Sequence, residues 1–525
     1  MGKRYNRNSF SLLNAISAMC LTITNGLLTI VVTRFILARF GSDFNGLNST
    51  ANQIVNVLLI LEGGFTLASN VALFYPLTHG DYKQVNGILS ATKKKFKKIA
   101  VIFISIGTLI SIVYAFFVNS ALPVELIATI ISMAIIPAAF NLYHAATYRV
   151  LLQAQQKEYI INAFSMITIS AGHLLNIVLI QNGCTMWMIR FITMTFAIVN
   201  SVLLGWYVKR NCRFINLKVQ PEESLIRGTN DVMAQKITGV IYESAPIIFL
   251  SISPAGGTKL ASVYAVYNSV FIMLKSLLHG VIDAPRHGFG QILSERNREE
   301  VWPVFNEYEY LSFLAVYVLL VTGGSLILPF VKLYTAGIMD AEYNDSLIAF
   351  LMIAISSFEM IHIPSGHLIN MAGEFKISRN FQVVSCAVLI AGMILGGYFF
   401  GVYGMLSAIL LVAGLLAVLE MGYVHCIFFK NKIGQLFKML GPLFFSGIIL
   451  ICLELRVSRG IESYISFIEW GVIFTIINFF AGIMIGFFSS HKQVVGLIKR
   501  LKIAFCAFIA SAYEYSGYYS WWFGS

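Results

Sequence analysis

Charge is what this sequence has little of. Of 525 residues, 37 are Lys or Arg and 25 are Asp or Glu, so 12% are charged, about half the share in a soluble protein. That is too few to cover a water-facing surface of this length, which excludes a soluble globular enzyme, and the composition equally excludes a disordered or collagen-like chain. The cysteines make no framework. The seven, at positions 20, 184, 212, 386, 426, 452 and 506, are odd in number and contain no CxxC pair, so neither a disulfide scaffold nor a metal site is read from them. No GxxxxGK[ST] loop is present; Gly256-Gly257-Thr258-Lys259 is a short turn, and ATP is not the direct energy source. GxSxG and HExxH are absent too. No large loop is available to hold donor and acceptor for a polymerase. The apolar runs do not alternate, which excludes a β-barrel.

Apolar residues make up 57% of the chain and mean hydropathy is +0.76, so lipid is the main solvent. About 20 apolar residues cross a bilayer as a helix. Fourteen such runs occur, near 12–37, 49–76, 99–119, 123–148, 159–181, 185–208, 233–252, 258–284, 309–332, 345–371, 378–400, 402–428, 437–455 and 464–489. The longest clear connector, Lys209–Val232, has 24 residues, which leaves no room for a soluble domain. The first run is too long for a cleavable signal peptide and continues into the fold.

Orientation follows from Lys and Arg. Alternate connectors, counted from the N-terminus, hold 28 of the 37, with Lys3, Arg4 and Arg7 first and the group at Lys83, Lys93, Lys94, Lys95, Lys97 and Lys98 next. The opposite connectors and span ends hold Arg39, Lys259, Lys332, Arg456 and Arg459. An even number of spans with both termini cytoplasmic fits this split. The net charge of +12 is thereby explained by topology, and no nucleic-acid partner is implied. The aromatic-rich tail Ala504–Ser525 is expected along the inner surface.

Residues 151–164 and 368–381, at an offset of 217, share Leu151/Leu368, Ile160/Ile377 and Phe164/Phe381, and the same offset aligns the first span with the seventh. Six spans separate the copies, so they run parallel. The expectation is an all-α polytopic membrane protein with two six-helix lobes (1–208 and 233–430). A linker (209–232) joins them, two extra helices (431–490) follow, and then a tail (491–525). Parallel repeats of this kind place a site between lobes that rock against one another.

Ionisable residues inside spans mark function. In the eighth span Tyr264, Asn268, Lys275 and His279 share one face and end at Asp283 and Arg286. The stripe faces either a wet cavity or a partner helix that pairs Lys275 with a carboxylate. The seventh span carries Lys236 and Glu243 on one face, then Pro246. The tenth carries Glu359, His362, Ser365, Gly366 and Asn370, with Pro364 inside. The second carries Glu62 before Gly63-Gly64, and the first Thr22, Thr24, Asn25, Thr33 and Arg34. Arg190 reads as an interface anchor, and His144, His173, His367 and His425 as structural. The candidate assignments are a diphosphate bound by Arg34, Lys236 and Lys275, sugar contacts from Tyr264, Tyr267 and Asn268, and ion coupling by Glu62, Glu243 and Glu359. No cofactor is expected beyond H+ or Na+ as coupling ion.

The segment Thr33-Arg34-Phe35-Ile36-Leu37-Ala38-Arg39-Phe40-Gly41-Ser42-Asp43-Phe44-Asn45-Gly46-Leu47 resembles the Arg-x-Gly-xxxx-Gly end of the first helix in bacterial polysaccharide (Wzx-type) flippases, members of the multidrug/oligosaccharidyl-lipid/polysaccharide exporter superfamily. Glu62-Gly63-Gly64 and the basic loop Ala91-Thr92-Lys93-Lys94-Lys95-Phe96-Lys97-Lys98 resemble theirs as well. The resemblance implies alternating access and a cationic central cavity. It also implies an undecaprenyl-diphosphate-linked oligosaccharide as cargo, moved between leaflets of the bacterial cytoplasmic membrane. Partners would be that lipid-linked glycan, membrane lipids, and a polysaccharide polymerase and glycosyltransferases. Peptidoglycan-precursor flippases of the superfamily carry basic residues on helices one and eight, matched here by Arg34 and Lys275, although their usual Arg-Asp pair on helix one is absent. A cation-drug antiporter of the same superfamily is the alternative.

Overall fold

In the computed structural model, residues 2–62, 64–226, 230–254, 256–283, 289, 292–293, 295, 297–430 and 432–499 are described. Gly63, Arg286 and the tail 504–525, singled out above, lie outside them. The chain is an all-α membrane protein, with no strand among the described residues. Eleven helical segments there are long and apolar enough to cross a membrane.

The helices are α1 (Gly2–Leu58), α2 (Phe65–His79), α3 (Tyr82–Phe117), α4 (Val124–His144), α5 (Ala146–Ala154), α6 (Glu158–Gln181), α7 (Met186–Asn211), α8 (Asn230–Ile252), α9 (Gly257–Ile282), α10 (Arg298–Tyr334), α11 (Ser346–Ile361), α12 (Ile363–Met371), α13 (Phe375–Gly422), α14 (Ile433–Ser458) and α15 (Tyr464–Ser489). Two of them are each two helices end to end. α1 breaks at Gly41 (φ 81°) and α13 at Gly401 (φ 60°), left-handed geometry that glycine adopts without a Cβ clash. With both halves of α1 and α13 counted separately and the 23-residue α8 added, the helical segments number fourteen, as many as the apolar runs.

The internal repeat is visible in the element boundaries. α5 begins at Ala146 and α12 at Ile363; α6 begins at Glu158 and α13 at Phe375. Each pair differs by the offset of 217 found in the sequence. The tight turns before α6 and α13 match as well, with positive φ at Gln156 (59°) and Gly373 (80°).

Two compact units are formed. The first comprises residues 1–273, 331–352 and 375–412; the second comprises the described residues of 274–330, 353–374 and those from 413 onward. In the first, α1 packs on α6, α3 on α4, and α7 on both α4 and α6, around a core that includes Phe44, Leu47, Phe96, Phe103 and Ile130. The chain after α7 is strapped to α3. Asn86 donates to the Phe214 carbonyl and accepts the Asn216 amide, both at 2.9 Å. In the second unit, Trp302, Phe305, Phe428 and Phe429 stack around His425.

The break at Gly41 is held in a polar knot within the first unit. Asp340 accepts the Ser42 amide at 2.7 Å and its hydroxyl at 2.6 Å, capping the helix that restarts there. Asp43 accepts Ser120 Oγ and the Ala121 amide, each at 2.8 Å, and Thr258 Oγ1. Tyr343 bridges Ser42 and Ser262 at 2.7 and 2.8 Å. Burial pushes its phenol above the usual range, so it stays a neutral donor.

Candidate functional site

The first unit encloses a cavity of about 710 Å³, within the range of small-molecule sites. Four long helices line it, and three of them, α1, α6 and α7, turn a polar stripe toward it. α1 contributes Asn25, Thr29 and Thr33, then Asn48 and Asn52 beyond its break; α4 contributes Pro137, Ala138 and Asn141. α6 contributes Thr168, Gly172, His173 and Asn176, and α7 Arg190, Thr193, Ala197 and Asn200. Steps of one, three and four put each set on one face. Glu62 and Thr66 line it where the helix breaks between α1 and α2, and Arg149 and Gln153 of the short α5 complete it. α5 reaches the cavity because helicity is interrupted at Ala145 (φ −107°, ψ −27°), which lets the chain restart in a new direction.

Two arginines set the electrostatics. Arg190 is 6% exposed, and its guanidinium donates to Asn48 Oδ1 at 2.9 Å and Asn52 Oδ1 at 2.8 Å. Both partners are neutral amides, and its Nε reaches no protein acceptor. No carboxylate pairs with it among the described residues, so its charge is uncompensated in a low-dielectric setting, where charge is costly and acts strongly. Arg149 is exposed, and the surface it exposes is cavity wall. Glu62 and Glu158 lie within its electrostatic reach without forming an ion pair. The Glu62 carboxylate accepts from Thr66 Oγ1. Asn176 donates to Thr193 at 3.1 Å, and Asn200 to Ser165 at 3.3 Å. His173 Nδ1 and Asn176 Oδ1 have no partner. The wall therefore offers two guanidinium groups against one carboxylate, with amides and hydroxyls between them: an arrangement suited to an anion that also carries many hydroxyls.

No protein-family model matches the chain, and no curated protein is significantly similar to it in sequence. Solved structures do match. The lipid II flippase MurJ, in an inward closed conformation, superposes with a TM-score of 0.67 at 13% identity, over 91% of this chain and 99% of that one. An inward-facing multidrug resistance MATE family transporter of the MOP superfamily gives 0.59 at 13% identity, over 84% and 99%. A eukaryotic MATE transporter gives 0.55 at 15%, over 82% and 98%. The chain shares its fold with these transporters.

On this fold the residues singled out in the sequence scatter. Of the residues assigned a binding or coupling role, Glu62 alone lines the cavity; Asn25, Thr33, His173 and Arg190, singled out without one, line it too. Arg34 lies next to it in α1 but donates through Nη2 to the Ala336 carbonyl at 2.7 Å, just beyond the end of α10, where carbonyls lack helical partners. Lys236 and Glu243 are both exposed on α8. Tyr264 is 7% exposed and Tyr267 fully buried; Tyr267 donates to the Tyr343 carbonyl at 2.8 Å, so its hydroxyl is engaged in packing. Asn268 is half-buried. Lys275 and Glu359, given separate roles above, form an ion pair with each other at 2.8 Å. Of the two readings of the eighth span, this is the paired one. His362 of the tenth span faces Glu420 at 2.8 Å.

The cavity arginines were given other meanings in the sequence. Arg149 counted as a connector charge because the fourth run was read as one straight span ending at 148, and Arg190 as an anchor. The signal that finds Arg190 is the i, i+3, i+7, i+10 row Arg190, Thr193, Ala197, Asn200; no comparable local signal exists for Arg149.

Proposed function

We propose that this chain is a flippase that moves lipid-linked, diphosphate-bearing oligosaccharides across the bacterial cytoplasmic membrane by ion-coupled alternating access, with both termini cytoplasmic. The reading is carried by one observation: Arg149 and Arg190 face a common cavity whose wall also carries twelve amide or hydroxyl side chains among its apolar ones. Guanidinium groups match phosphate oxygens bidentately, and Asn side chains both donate to and accept from sugar hydroxyls. The diphosphate role thus moves from Arg34, Lys236 and Lys275 to Arg149 and Arg190, because Lys275 is neutralised by Glu359 and Arg34 caps a helix end. The coupling ion is H+ or Na+, and the glycan comes from glycosyltransferases and passes to a polymerase.

The test is translocation of a lipid-linked oligosaccharide by the full chain in proteoliposomes. A charge-assisted hydrogen bond contributes about 2 kcal/mol, so Arg190→Ala and Arg149→Ala should each weaken apparent affinity roughly 30-fold. Wild-type translocation by the double variant, with the protein still folded, would remove the cavity from the function.

A second reading, a drug–cation antiporter, is favoured by Glu62 in the same cavity. The two readings predict opposite dependences. Drug efflux should fall in Glu62→Gln and survive, or improve, in Arg149→Ala, because removing a like charge favours a bound cation.

A further inference from the structure

Four carboxylates are buried among the described residues, and three of them face a histidine or three donors; the fourth faces neither. Asp43 accepts three donors. Glu309 faces His425 at 2.9 Å, and Glu420 faces His362. Glu454 is 5% exposed and has no cationic partner among the described residues. Its Oε2 lies 2.6 Å from Ser325 Oγ, and its Oε1 reaches no partner at all.

The surroundings are a helix seam within the second unit. α14 buries Leu436, Met439, Leu443, Gly447, Glu454 and Ser458, one stripe at helical spacing in which Glu454 is the only ionisable group. α15 buries Phe474, Asn478, Gly482 and Gly486, and Asn478 lies beside the carboxyl group. Gly447 and Gly482 let these helices approach Val321 and Tyr317 of α10, where a methyl group on Gly482 would come 2.5 Å from Leu314. The titratable neighbour is Tyr317, whose hydroxyl accepts from Ser446 Oγ at 3.1 Å.

The hydrogen-bond partners in the seam are few. The Ser325 hydroxyl has one hydrogen and two acceptors in range, Glu454 Oε2 and, at 2.9 Å, the Val321 carbonyl. Asn478 turns its amide nitrogen to Thr322 Oγ1 at 3.0 Å, and its Oδ1, fully buried, has no donor. With Glu454 ionised, a negative charge is buried with one hydroxyl donor in contact and no counter-charge, which is costly. One hydrogen on Glu454 removes the charge. It also supplies a donor either to Asn478 Oδ1 or to Ser325 Oγ. A metal cation would have to assemble its oxygen shell from the few groups present; a proton needs one acceptor.

We propose that Glu454 is a proton-binding site, a carboxyl group at the seam of α10, α14 and α15 that takes up and releases H+ with no protein cation to balance it. Under the translocator reading, on which only this step rests, Glu454 is the group through which a proton gradient acts, in place of Glu62, Glu243 or Glu359.

The experiment is infrared difference spectroscopy of the purified full-length protein at pH 7 without sodium. The carbonyl stretch of a protonated carboxylic acid should be present in the wild type and missing in Glu454→Gln. That variant should unfold thermally like the wild type, because its amide supplies the same hydrogen. If it does not fold, the same band must shift in Asn478→Leu, which removes the acceptor. Absence of the band from the wild type would overturn the site. So would a sodium-dependent rise in unfolding midpoint that Glu454→Gln lacks, since that would make it a metal-cation site. These readouts need no cargo, so they stand even if the flippase reading fails. If translocation by Glu454→Gln keeps its wild-type response to a pH gradient, the coupling step alone is overturned.

Discussion

Lys275 and Glu359 show why a polar residue in a span does not announce its role. Their side chains are 23% and 14% exposed and their charged atoms are 2.8 Å apart. Removing one partner of a buried pair leaves the other uncompensated, at a cost of about 3 kcal/mol, whereas replacing both with apolar residues is close to neutral. Lys275→Met should therefore lower the unfolding midpoint in detergent, and Lys275→Met with Glu359→Leu should recover most of the loss. Loss of transport in the single variant alone would not identify Lys275 as a cargo ligand; the double variant separates the two meanings. Gly366 carries a related constraint. A methyl group there would lie 2.6 Å from Glu420 Oε2, so Gly366→Ala must displace the carboxylate from His362 and should cost about 2 kcal/mol, read in the same melt. Both polar stripes were legible in the sequence because helical spacing is local. Their partners were not, since Glu359 and Glu420 come from helices 84 and 58 residues away.

At the scale of elements, the end of the first span was read most fully from sequence. Arg39, Gly41 and Gly46 stood out as a motif, and the structure gives its physics. Gly41 breaks α1 at φ 81°, and Asp340 caps the restart. Gly46 passes so close to α9 that a methyl group there would meet the Thr258 carbonyl at 1.7 Å. A non-glycine residue in left-handed geometry costs about 1–2 kcal/mol. Gly41→Ala would also bring a Cβ within 2.8 Å of Asp340 Oδ2, against the capping bond. It should destabilise the protein by at least that amount. Gly26, mid-helix in α1 with nothing within 4 Å of where a methyl group would sit, is the control: Gly26→Ala should be neutral or stabilise by about 0.5–1 kcal/mol. If the two melts coincide, the break is not held by glycine. What the sequence concealed at this scale is the division of the fourth and tenth runs into α4–α5 and α11–α12. Around His362 the polar residues and Pro364 were read as features of one span, and at Ala145 no Pro or Gly marks the change of direction that brings Arg149 to the cavity.

At the scale of the molecule, lipid and charge act on different parts of the surface. Large apolar side chains are left bare along the helices, with Phe116 and Phe117 at 72% and Tyr398 at 84% exposed, where a membrane rather than water must cover them. These three sit at the C-terminal ends of α3 and of the first half of α13, as residues of an interfacial aromatic girdle would; the basic cluster 83–98, read as a loop in the sequence, is helical and forms the opposite end of α3. The basic residues fall on alternate connectors, all short enough for the positive-inside rule to apply. Inserting or deleting one span in the count would reverse every later connector and place Lys376, Arg379, Lys430 and Lys432 opposite Lys93–Lys98. Orientation and span number are thus one claim, and two exposed positions test it. Lys95 is exposed on α3 and Glu342 in the turn before α11. In intact cells, a membrane-impermeant maleimide should label Glu342→Cys above the parent chain and label Lys95→Cys only after permeabilisation. Reversed labelling would turn the termini outward. Equal labelling from one side would show that an even number of spans separates positions assigned an odd number here, and the fourteen-span count would fall with the orientation.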